Sequence, residues 1–264
     1  MLLKRKLHAA AIAAAVLTLA VGNLTTGRPT ERPQIPALHS ELAVTAAPNG
    51  LQAAVLRGWG PVVAGDEFSY TGAPNPRKWK VYDGPGHAGN GVRSPKAWKV
   101  GKGVATVSGD AHGTTGGMSA RFARQKYGRW EVRMRTSVRD PKYHPVLLLW
   151  PNDTSSNCAE VDYAESLADT TLIKFFLHYA CPGPGPYQSQ AARKIDTTKW
   201  HNYAVQWNSA SITGYIDGVV WFKDTNRAHI PKVGMHQTLQ LDWVPNGKPT
   251  KPSWMQVDWV RVYR

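Results

Sequence analysis

The chain has 264 residues, 42% hydrophobic and 19% charged, which are globular values with room for one sizeable domain and an appendage. Its formal charge is +14, but Lys4, Arg5 and Lys6 supply three of those charges, and no later basic run exceeds two residues. Without a zinc-finger spacing or a helix-turn-helix pattern, that distribution argues against a nucleic-acid partner and fits a basic protein adhering to acidic cell-wall polymers.

Lys4-Arg5-Lys6 followed by the alanine-rich apolar run of residues 9–21 reads as a secretory signal, with Ala20-Val21-Gly22 as a small-x-small cleavage site. The run is short for a membrane span, so an uncleaved anchor is the competing reading. Either way the protein is expected to be secreted or otherwise extracytoplasmic. Residues 1–22 are thus assigned to the signal and residues 23–57, rich in Thr, Pro, Ala and Arg without a sustained period, to a flexible lead-in. The folded domain is expected over residues 58–264, as a monomer and without an internal repeat.

Within that domain the apolar period is two. Gly128-Arg129-Trp130-Glu131-Val132-Arg133-Met134-Arg135 places Trp130, Val132 and Met134 on one face and charges on the other. Residues 200–207 form another strand. Asp217-Gly218, flanked by Tyr215, Ile216, Val219 and Val220, carries the signal of a type I′ hairpin. Residues 254–264 alternate, with Val257, Trp259 and Arg261 opposite Asp258, Val260 and Val262. Many short strands with no surviving helical period predict an all-β sandwich of two packed antiparallel sheets. The 11 Trp against 5 Phe exceed what a core asks for, and indole faces suit sugar rings as well as packing.

The sequence departs from its own charge balance at Glu160-Val161-Asp162-Tyr163-Ala164-Glu165, where three of the 18 acidic residues fall within six positions. On a regular strand Glu160 and Asp162 share a face and Glu165 points away; a β-bulge would return Glu165 to them. Two carboxyl groups brought close together suit retaining glycoside hydrolysis, one as nucleophile and one as acid/base. An exposed acidic strand paired with Arg or Lys is the alternative from spacing alone. Cys158 and Cys181 are the only cysteines; in an oxidising compartment they are expected to join, bracing this strand by about 3 kcal/mol.

The hexapeptide resembles the bulged E-x-D-x-x-E signature of glycoside hydrolase family 16, which includes laminarinase-, lichenase- and agarase-like β-glycanases. Further resemblance lies in Gly65-Asp66-Glu67-Phe68, in Tyr127-Gly128-Arg129-Trp130-Glu131-Val132-Arg133, in residues 145–151 with Trp150, in His178-Tyr179, and in Val257-Asp258-Trp259-Val260-Arg261-Val262-Tyr263. These follow the family order from about Gly58 to the C-terminus. The resemblance implies a jelly-roll β-sandwich with a concave substrate cleft. It implies Glu160 as nucleophile, Glu165 as acid and then base, and Asp162 as the assisting carboxylate between them. Trp150 and His178 would contact the sugar, and Trp243 would line the cleft.

The implied activity is an endo-acting, retaining β-glycanase on a polysaccharide, most naturally a β-glucan, with β-galactan-type polymers as the main alternative. The stretch Asp153-Thr154-Ser155-Ser156-Asn157-Cys158 lacks the additional Trp-Pro of many glucan-cleaving members. No cofactor is required; the family admits a structural calcium, loosely matched by Asp258 and Asp66-Glu67. A non-catalytic polysaccharide-binding sandwich and a transglycosylase are the alternative functions. Metal-dependent and serine hydrolysis lack their H-E-x-x-H and G-x-S-x-G motifs.

Overall fold

The computed structural model describes residues 51–153, 159–179 and 188–264. The signal assigned to residues 1–22, most of the lead-in, and the expected Cys158–Cys181 bridge lie outside the described residues. The strands in chain order begin with β1 (Ala64–Asp66), β2 (Trp79–Val81), β3 (Gly84–Pro85), β4 (Val92–Arg93), β5 (Trp98–Gly101) and β6 (Val104–Gly109). They continue with β7 (Thr114–Ala120), β8 (Gly128–Thr136), β9 (Tyr143–Pro151), β10 (Glu160–Glu165), β11 (Leu172–His178) and β12 (Gln188–Lys194). The last five are β13 (His201–Trp207), β14 (Ile212–Ile216), β15 (Val219–Asp224), β16 (Met235–Trp243) and β17 (Ser253–Tyr263).

They form two large sheets, as the alternating pattern predicts. One runs β15-β14-β13-β8-β17-β6-β5, with β1 joined to β17; the other runs β12-β11-β10-β9-β16-β7-β4-β3, with β2 joined to β7. Trp130, Val132 and Met134 of β8 meet Leu147 and Leu149 of β9 and Val161 and Tyr163 of β10 in one core. Trp130 is fully buried there, stacked on Trp207 at 6.2 Å between ring centroids. Asp217 and Gly218 both have positive φ, 48° and 74°, which is the type I′ turn that joins β14 to β15.

Three sequence expectations shift. Strict alternation in residues 254–264 is broken by a bulge between Val257 and Trp259, so Val257, Val260 and Val262 are all buried in the core. Regular structure is also present before Gly58. Ala53–Leu56 forms a single helical turn, α1, whose Ala53 and Ala54 pack with Trp59, Ala204, Tyr215 and Tyr263. Glu131 therefore does not face water. It is fully buried beneath α1, where it accepts the backbone N–H of Ala53 at 2.6 Å and of Ala54 at 3.2 Å. Burial outweighs those two donors and pushes the Glu131 carboxyl up to about 7.

Candidate active site

Strand β10 lies between β9 and β11, and its irregular pairing positions the carboxylates. Against β9, Asp162 pairs with Leu148 and Ala164 with Leu147, so one extra residue is accommodated between them. Against β11, Asp162 pairs with Phe176 and Glu165 with Lys174. The extra residue restores phase. Tyr163 goes to the core, where its hydroxyl donates to Gln237 at 2.7 Å, and Glu165 returns to the face of Glu160 and Asp162.

That face forms the floor of an open groove of about 480 Å³ crossing five adjacent strands. Glu160, Asp162 and Glu165 line it together with Lys174, Phe176 and His178 of β11, Gln188 and Gln190 of β12, and Gln240 and Asp242 of β16. A second hollow of about 400 Å³ shares His87, Glu160 and Gln240 with the first, so the groove continues toward Trp150 and Tyr82. Such an open, extended shape admits a polymer rather than enclosing a small molecule.

The electrostatics follow from burial and like charge. The Glu160 carboxyl is pushed up to about 8, first by burial and then by the charge of Asp162. Glu165 rises to about 7 through burial, then through Asp242 and Glu160. Asp162 is raised well above the carboxylate range, by burial and by Glu165. His178 Nε2 lies 3.1 Å from Asp162 Oδ2, while Asp162 Oδ1 is buried without a hydrogen-bond partner among the described residues. A proton on Asp162, directed at Glu160, would satisfy that atom. It would also remove the second of the causes that raise Glu160, after burial, and replace it with a donor that stabilises the Glu160 carboxylate. In that arrangement two protons shared among three carboxyl groups would leave Glu160 the ionised one, with Asp162 and Glu165 protonated.

Glu160, Asp162 and His178 present ligand atoms within 4.8 Å of one another, a spacing that can hold a cation. Burial favours the protonated carboxyls, however, and those are poor ligands. The residues matched to a calcium site do not fit one. Asp258 is held by Arg133 at 2.5 Å and Glu67 by Arg261 at 2.8 and 2.9 Å. Asp66 accepts from Lys78 Nζ, Tyr70 Oη and Trp79 Nε1 at 3.1, 3.0 and 2.8 Å. Asp258 Oδ2 and both carboxylate oxygens of Glu67 and Asp66 are thus already engaged by cations or by N–H and O–H donors, which compete with a calcium ion for them.

Trp150 and His178 line the groove. Trp243 is placed otherwise: its indole lies against Gly91 and Gly113 and donates through Nε1 to Thr250 Oγ1 at 3.1 Å. Its neighbour Asp242 takes the groove-facing position, held by Arg93 at 2.6 Å. Asp242, Lys174 and His87 were not singled out from sequence. The signal for Asp242 was present, because Gln240 and Asp242 alternate with Leu239, Leu241 and Trp243 along β16.

A two-sheet sandwich whose bulged strand presents two glutamates and an aspartate to an open groove defines the glycosidase class that works through paired carboxyl groups. Comparison with known proteins gives the family. Residues 91–261 match the model of glycosyl hydrolases family 16. The β-glucanase of Paenibacillus macerans is 26% identical over 143 residues, 51% of this chain and 59% of that protein. The chain therefore spans about three-fifths of the length of this curated relative. The catalytic domain of an endo-1,3-beta-glucanase (laminarinase) from Thermotoga petrophila superposes with a TM-score of 0.67 at 20% identity, covering 77% of this chain and 97% of that one. The laminarinase from Rhodothermus marinus gives a TM-score of 0.64 at 22% identity, over 77% and 96% of the two chains. The chain belongs to glycosyl hydrolases family 16.

Proposed function

We propose that the protein is an exported, retaining endo-β-glycanase that hydrolyses a β-glucan. The observation that carries this reading is the convergence of Glu160, Asp162 and Glu165 on one groove through the bulge in β10, with burial holding the acid protonated. Ionised Glu160 attacks the anomeric carbon while Glu165 protonates the glycosidic oxygen, so the leaving chain departs as a neutral alcohol. The product is a glycosyl ester of Glu160. Glu165, now ionised, takes a proton from water as the water attacks the same carbon; the ester bond breaks and both groups return to their starting states. Asp162, bonded to His178, holds the proton that stabilises Glu160 when it is ionised and as the leaving carboxylate.

The β-glucan assignment rests on similarity to proteins described as β-glucanases and laminarinases. Export rests on the N-terminal signal and on the size of such a polymer. Incubating the purified protein and its Glu160→Gln variant with β-1,3-glucan, mixed-linkage β-glucan and β-galactans, and following new reducing ends, tests the reading. Release from a β-glucan by the parent alone supports it; release only from a galactan reassigns the substrate; no release by folded protein from any polymer sinks it.

A further inference from the structure

The sheet facing away from the groove carries a second arrangement of aromatic and cationic side chains. Arg135 of β8 lies over the Trp200 ring at 4.7 Å and the Trp254 ring at 5.6 Å, and Arg133 lies over Trp200 at 5.0 Å. Arg135 Nε donates to Gln256 Oε1 at 2.9 Å, and Gln256 Nε2 donates to Thr106 Oγ1 at 3.2 Å. Strand register extends the row, for Arg135 pairs with Gln256, Gln256 with Thr106, and Thr106 with the exposed Lys99. Three inter-strand steps of about 4.8 Å give the row a length of roughly 14 Å across the strands.

Charge balance distinguishes Arg135 from its neighbours. Arg133 is neutralised by Asp258 and Arg261 by Glu67. Arg135 has no carboxylate partner among the described residues, and its terminal nitrogens make no hydrogen bond there. A guanidinium fixed by two indoles and one Nε bond presents its fork with little rotational freedom left to lose on binding an anion.

We infer that this row is a second glycan-binding site, on the outer sheet, that takes an anionic polysaccharide through Arg135 and Lys99 with Trp200 and Trp254 as its walls. Guanidinium groups already lie over the indole rings, so the row offers forks for carboxylate or sulfate groups rather than the open faces on which bases stack. The excess positive charge of the chain supports capture of a polyanion, and membership in a polysaccharide-acting family favours a glycan over a nucleic acid. The site would hold the enzyme on an acidic matrix while the groove on the other sheet stays open.

Native electrophoresis of the full protein through gels containing polygalacturonate, laminarin or single-stranded DNA tests this at 0.15 M salt. Polygalacturonate is expected to retard the parent, and Trp200→Ala and Arg135→Lys to weaken that retardation about tenfold although neither removes a charge. Lys223→Gln, at the far edge of the same sheet, removes one charge and is expected to change it less than about twofold. Thermal unfolding confirms that the variants fold, and Arg135→Lys serves if Trp200→Ala does not. Absence of retardation, equal retardation of parent and both row variants, or an equal loss in Lys223→Gln would overturn the site. Equally tight, Trp200-dependent binding of DNA would overturn its assignment to a glycan. Because the readout is binding, it is independent of whether the groove hydrolyses a β-glucan.

Discussion

Asp162 pairs with Phe176 and Glu165 with Lys174, so three steps along β10 match two along β11. This mismatch puts both carboxyls in one groove, and it makes an asymmetric prediction. Deleting Ala164 removes the bulge, yet leaves the glutamate opposite Val146 and Lys174 and on the groove face. Inserting one alanine between Ala164 and Glu165 turns the glutamate into the core instead. Reducing-end release should survive the deletion within roughly tenfold and vanish in the insertion, which should also be destabilised by about 2 kcal/mol or more in urea.

The sandwich, the hairpin at Asp217-Gly218 and the carboxylate strand were legible because period-two alternation and a turn pair report local geometry directly. The bulge at Asp258 and the burial of Glu131 were not. The first is one inserted residue that alternation cannot locate. The second depends on a helical turn from the far N-terminal side, 78 residues away in sequence. At the site, the abundance of Trp favours Trp243 as a cleft residue, whereas strand phase puts Asp242 in the groove.

Asp242 bears on the acid. Its charge is among the causes that raise Glu165, and it lines the same groove. Asp242→Asn removes that charge, so Glu165 should lose its proton at lower pH. The alkaline limb of the pH–rate profile, set near 7 by Glu165, should move toward lower pH, with less effect at pH 5 than at pH 7. An unmoved limb in a folded variant would show that Asp242 does not tune the acid.

Glu160, raised to about 8, titrates as one set with Asp162 and Glu165, so folding takes up protons onto the cluster as a whole between the ordinary carboxylate range and about 8. The cluster's contribution to stability is full below about 4.5 and is lost as pH rises through about 8. Glu160→Gln should therefore be inactive, yet more stable than the parent at pH 8, with the difference fading by pH 4. Thermal unfolding at the two pH values reads this out.

Glu131 follows the same sign, since its carboxyl rises to about 7 beneath α1. The shift corresponds to roughly 3 kcal/mol of stability present at acid pH and absent above about 7. In Glu131→Gln the fall in unfolding free energy between pH 4.5 and 7 should be smaller than in the parent by an amount of that order. The protection of the Ala53 and Ala54 amides, taken relative to the intrinsic base-catalysed exchange rate, should fall with pH in the parent and not in Glu131→Gln, as ionisation favours release of α1 from its dry site.

The central claim is double displacement at Glu160 with Glu165 as acid/base. Proton NMR of the anomeric region during the first minutes of hydrolysis tests it most directly, using whichever polymer the protein cleaves. The account predicts the β-anomer as the first reducing end, with the α-anomer following only by mutarotation. The α-anomer appearing first would show inversion, and would contradict a glycosyl-enzyme on Glu160.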